Sequence, residues 1–88
     1  MAANKLHFSL VSPERELFAG DVDQVDAPGA EGDFGVMAGH APVMTTLKDG
    51  ELAIYRTAGA EPEKVKVSGG FAEVGDNGLT VLAESAEA

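Results

Sequence analysis

The side chains with chemistry to offer are two histidines, His7 and His40, four serines, a spaced trio of carboxylates at Asp21, Asp23 and Asp26, and a serine followed by paired glycines at 68–70. Nucleophilic catalysis needs a hydroxyl held by a base. No Gly-x-Ser-x-Gly elbow surrounds Ser9, Ser12, Ser68 or Ser85. His7 lies between Leu6 and Phe8 in an alternating run and reads as an exposed strand residue, whereas His40 lies in a Gly-His-Ala-Pro turn, where a ring braces the loop by hydrogen bonding. Taken as a calcium loop from Asp21, the trio puts Asp26 where glycine is required and Gly32 where glutamate is required, so the metal reading fails. Ser68-Gly69-Gly70 lacks the lysine and hydroxyl of a phosphate loop and marks a bend or a close strand crossing instead. No cofactor is implied. What remains suited to recognition is the pair of carboxylates Glu31 and Asp33 on a glycine-braced loop, with Phe34, Met37, Val43 and Met44 nearby.

The elements that must position these groups read as strands. Leu6, Phe8 and Leu10 alternate with Lys5, His7 and Ser9, and Leu52 and Ile54 alternate with Ala53 and Tyr55 within 51–57. Val65 and Val67 alternate with Lys64 and Lys66. Leu79, Val81 and Ala83 alternate with Thr80, Leu82 and Glu84, which makes that strand apolar on both faces and central. Turn signals fall at Ser12-Pro13, Gly20-Asp21, Pro28-Gly29, Lys48-Asp49-Gly50, 59–62 and 75–78, with Asn77-Gly78 suited to a two-residue hairpin. Val22 and Val25 break a single alternation, so a bulge or a strand start is expected between them. The residues from Ala83 onward are helix-friendly in composition but too few for a stable helix. Short strands with turns every few residues predict an all-β fold, a small β-sandwich or flattened barrel of about 8–10 strands, forming a single domain over 1–88 with its core at about 5–84.

The segment Glu31-Gly32-Asp33-Phe34-Gly35-Val36-Met37-Ala38-Gly39-His40-Ala41-Pro42-Val43-Met44 is turn, short strand, tight turn, strand. It resembles the signature of the epsilon subunit of F-type ATP synthases, the counterpart of the mitochondrial delta subunit. Leu10-Val11-Ser12-Pro13-Glu14 and Leu17-Phe18-Ala19-Gly20, Lys48-Asp49-Gly50, and Val67-Ser68-Gly69-Gly70-Phe71-Ala72-Glu73-Val74 leading into 79–83 agree with that family in order and spacing. The resemblance implies a non-catalytic rotor subunit at the foot of the central stalk, one monomeric copy per complex, coupling the gamma subunit to the c-ring. It implies a gamma interface around Ser12 and His40 and a c-ring interface at Glu31, Asp33 and Phe34. The implied location is peripheral, on the cytoplasmic side of the inner, energy-transducing membrane. Longer members of the family carry a C-terminal helical hairpin associated with inhibition and nucleotide binding; this sequence corresponds to the β domain alone, so neither role is carried over.

Bulk properties narrow the partners independently. At 88 residues and 44% hydrophobic, the chain is too apolar to be disordered. Its net charge of -9 argues against nucleic acid and anionic lipid. Between positions 14 and 33, seven carboxylates face only Arg15, a distribution that steers a basic partner or simply solubilises the surface. There is no cysteine, and the longest uncharged run, 34–47, is too short and too broken for a membrane helix. Residues 1–5 show no apolar signal core. The rival readings are a small acidic β-sandwich that binds another ligand or protein, and a small hydrolase. A carbohydrate binder would need aromatic platforms, and the sequence offers one tyrosine, four phenylalanines and no tryptophan.

Overall fold

The computed structural model describes residues 5–39, 41–57, 59–76 and 78–87. Eight strands follow one another: β1 (Leu6–Val11), β2 (Glu16–Val22), β3 (Gln24–Gly29), β4 (Gly32–Met37), β5 (Val43–Thr46), β6 (Gly50–Tyr55), β7 (Glu63–Gly75) and β8 (Gly78–Glu87). They form one sheet in the order β2-β1-β8-β7-β6-β3-β4, with β5 pairing β7 off that path. All pairings are antiparallel except β1 with β8.

The sheet closes on itself because β7 and β8 are long and turn a corner together. The first part of β7 pairs β6 through Glu63 to Val67, and the second pairs β5 through Phe71 to Val74. Between them Gly69 and Gly70 take φ of +67° and +109°. A side chain on Gly70 would run into the Leu82 carbonyl of β8, so only glycine lets the two strands stay paired through the bend. One layer therefore holds β2, β1, the first half of β8, the second half of β7, and β5. The other holds the remaining halves of β8 and β7 with β6, β3 and β4.

Alternation fills the space between the layers. Leu6, Phe8 and Leu10 of β1, Leu52 and Ile54 of β6, Val25 of β3, Val36 of β4, and Leu79, Val81 and Ala83 of β8 are all buried. The Phe8 and Phe18 rings meet at 5.4 Å, and the Arg56 guanidinium lies 4.7 Å from the Phe18 ring centre, capping the core at the β2 edge.

Two local readings change. Gly20-Asp21 is no turn: both lie inside β2, where Gly20 pairs with Phe8 and Asp21 with His7. Pro28-Gly29 ends β3 rather than interrupting it, because pairing with β6 stops at Asp26 and Pro28 needs no donor on that side. The residues from Ala83 onward, too few for a stable helix, continue β8 as far as Glu87, held by Ala86 and Glu87 opposite Val67 and Lys66. The expected strand start between Val22 and Val25 is present, with β3 beginning at Gln24. Asn77 lies outside the described residues; its neighbours Gly75 and Gly78 are paired as a hairpin requires.

Candidate functional site

One end of the sandwich gathers three turns that backbone hydrogen bonds tie together. Ala30 N donates to Thr46 O at 2.8 Å, Lys48 N to Pro28 O at 2.9 Å, and Leu47 N to Gly70 O at 2.9 Å. The Ser68 hydroxyl adds a bond to Asp49 Oδ1 at 3.0 Å. On this braced end stand Glu31, exposed in the turn between β3 and β4, and Asp33, exposed on β4. Asp33 Oδ1 lies 3.9 Å from Lys48 Nζ, with 78% of its side chain exposed, so its charge stays in water and available to a partner. Phe34 does not join them outside. It pairs with Ala27, packs against the core and lies over Gly29, because its position on β4 points inward.

Ser12 follows β1 at the same end. Its hydroxyl donates to Arg15 O at 3.2 Å and its N–H to the same oxygen at 2.9 Å, closing the turn over 12–15. The hydroxyl is thus spent on local geometry. His40 lies outside the described residues. The chain on either side of it leaves β4 after Met37 and enters β5 at Val43, which pairs with Val74. That is the opposite end of the first layer from Ser12, three strand spacings across and several residues along, roughly 20 Å on standard sheet dimensions. Between Ser12 and the start of β5 lies the outer face of that layer.

This face was not singled out by sequence, although the two-faced apolar pattern of 79–84 was its signal. Cross-strand pairing aligns Glu16, Val11, Leu82, Phe71 and Thr46 in one row, and Ala19, Ser9, Thr80, Glu73 and Met44 in the next. Phe71 and Leu82 remain 36% and 38% exposed, and Met44 63%. Among the described residues the strand positions of this face carry no lysine or arginine, and its charged groups are the carboxylates Glu16, Asp21, Glu73 and Glu84, with His7 Nδ1 3.2 Å from Asp21 Oδ1. The arrangement is built for contact, with no nucleophile–base pair among these residues.

Against known proteins, the family description ATP synthase, Delta/Epsilon chain, beta-sandwich domain, matches residues 5–88. The chain belongs to that family. Within it, the ATP synthase epsilon chain of Caulobacter vibrioides is 62% identical over 93% of both chains. The epsilon chain of Rhodopseudomonas palustris strain TIE-1 is 64% identical over 91% of this chain but 58% of its own length, so the chain spans under two thirds of that relative. Among solved structures, a chain of the Euglena gracilis mitochondrial ATP synthase, in an assembly of OSCP, F1 and c-ring, superposes with a TM-score of 0.84 at 26% identity, covering 93% of this chain and 52% of that one. A chain from the Tetrahymena thermophila mitochondrial ATP synthase central stalk and c-ring shares the fold, with a TM-score of 0.79 at 17% identity over 98% of this chain and 68% of its own. Membership in the delta/epsilon family decides against an unrelated β-sandwich module.

Proposed function

We propose that this chain is the non-catalytic rotor subunit of a proton-translocating ATP synthase, coupling the gamma subunit to the c-ring so that rotation drives ATP synthesis. One observation carries the reading: 62% identity to an ATP synthase epsilon chain, running along 93% of each partner. The geometry agrees with a mechanical role. A rotor clamp needs a rigid body with two contact areas, and the sandwich supplies the hydrogen-bonded end bearing Glu31 and Asp33 and the outer face between Ser12 and the 38–42 loop. Glu31 and Asp33 are the c-ring contact in this reading, with Phe34 supporting them from inside, and Ser12 and His40 flank the gamma contact. Acidic groups on the end face suit basic polar loops of a ring. The site is peripheral, on the cytoplasmic side of the inner membrane; among the described residues no helix is long and apolar enough to cross a bilayer.

Membranes whose ATP synthase lacks this subunit provide the test. Added chain is expected to restore proton-driven ATP synthesis and to sediment with the complex. A chain that neither binds such membranes nor changes their synthesis rate overturns the assignment.

A further inference from the structure

Regular pairing of β3 with β6 stops at Asp26, yet the chain beyond it is firmly held. Gly29 bridges Leu47, Ala30 N donates to Thr46 O, and Lys48 N donates to Pro28 O, so the tip of the β3–β4 hairpin is stitched to the end of β5. β5 in turn pairs β7, β7 pairs β6, and β6 pairs β3. These four strands therefore close a ring, and the stitch at 28–30 is its seam. Glu31 lies in the turn at that seam, and Asp33 follows it on β4. Resting on the rotor-subunit reading above, we propose that Gly29 and Phe34 are positioning residues for these two carboxylates. They keep the seam shut, so that force applied to Glu31 and Asp33 passes into both layers instead of bending a loop.

Packing makes the two residues a pair. Phe34 packs against the core from β4, and its ring covers Gly29. A Cβ on Gly29 would lie 2.6 Å from the Gly32 carbonyl oxygen and 2.9 Å from the Phe34 ring, so any other residue there forces the tip to move. Pro28 is buried against Gly50, where a Cβ would lie only 3.0 Å from it. On the other side of the seam Leu47 is 3% exposed, and its N–H reaches Gly70 O at the corner of β7. Charge adds little to this hold, since Asp33 and Lys48 are 3.9 Å apart with both side chains largely in water. Stiffness comes instead from backbone bonds and close packing, which transmit strain. Contact groups keep their geometry when the residues behind them are locked in this way.

Hydrogen exchange on the chain and coupling in membranes test the two halves of the proposal. In the parent the amides of Ala30, Leu47 and Lys48 should be protected, and in Phe34→Ala they should exchange about tenfold or more faster. Phe34→Leu, which still covers Gly29, should restore most of that protection. In membranes whose ATP synthase carries equal amounts of each variant, Phe34→Ala and Gly29→Ala should lower ATP synthesis relative to proton flow, and Phe34→Leu should recover it. The deciding measurement is a mutant cycle. Added to Glu31→Gln, Asp33→Asn, Phe34→Ala should cost no further coupling, because it acts through those carboxylates. A merely structural role would lower coupling as much in that background as in the parent. Circular dichroism checks each fold; if Phe34→Ala misfolds, Gly29→Ala and the exchange of the parent decide. Unprotected Ala30 and Lys48 amides in the parent, additive losses in the cycle, or unchanged coupling in Glu31→Gln, Asp33→Asn overturn the positioning role and leave the rotor reading standing. A parent chain that restores no ATP synthesis to membranes lacking the subunit removes the rotor reading, and the positioning role with it, even where the seam is protected.

Discussion

The two outer faces of this sandwich are made by the same kind of antiparallel ladder, yet they treat charge in opposite ways. On the second layer Lys66 stands between Glu51 and Glu87 across the strands, and Lys64 is paired with Ala53, beyond which lies Asp26. Opposite charges on neighbouring strands satisfy one another and hold water. The first layer sets carboxylates around an apolar row and supplies no cation from its strands. A face whose charges are already matched has little to gain from a partner. One that is single-signed and apolar at its centre gains both electrostatic and hydrophobic energy when a complementary surface arrives.

This contrast breaks most severely if the core beneath it fails. Phe8→Ala removes a fully buried ring from the inner side of β1 and should cost about 3–5 kcal/mol, read by urea denaturation. Gly70→Ala attacks the corner that separates the two faces. Strain at positive φ and collision with the Leu82 carbonyl together should cost about 3 kcal/mol, lowering the melting temperature by more than about 10 °C. Leu82→Ser, on the outer side, should cost only about 1 kcal/mol in urea denaturation, far less than a core substitution on the inner side of the same layer. Lys66→Glu would give the second layer three acidic neighbours in a row; about 0.5 kcal/mol of destabilisation is expected, shrinking as salt is added. Smallest on the fold is Glu31→Lys with Asp33→Lys, which should leave denaturant stability within about 0.5 kcal/mol but reduce ATP synthesis relative to proton flow in energised membranes.

Much of the layering was legible because burial and alternation share a period. Leu6, Phe8 and Leu10, or Leu79 and Val81, face the core as the pattern requires. The uneven parts were those where long-range packing overrides local chemistry. Gly20-Asp21 has turn composition, but β2 runs straight through it because its ladder to β1 continues unbroken from Phe18 to Val22. The bend at Ser68-Gly69-Gly70 was legible, whereas the ladder to β8 that carries β7 through it as one strand is set by long-range pairing. Glu31 and Asp33 were readable as exposed carboxylates on a rigid turn, whereas the direction in which Phe34 points is revealed only by the pairing with Ala27. The outer row was hidden for a related reason. Val11, Phe71 and Leu82 are scattered through the sequence, and only strand order makes them neighbours.

The parallel pairing of the first strand with the last has a consequence for how this protein is born. Phe8 finds its partner in Leu79, nearly the full length of the chain away. While the polypeptide emerges from the ribosome, β1 can pair only with β2, and its other edge stays open until β8 has been released. Completion of the sheet therefore waits for β8, and it is dominated by distant contacts and slower than for a helical chain of this size. Until β8 arrives Leu82 is not yet beside Val11, so the outer row of the first layer does not exist on a chain that has not reached that strand.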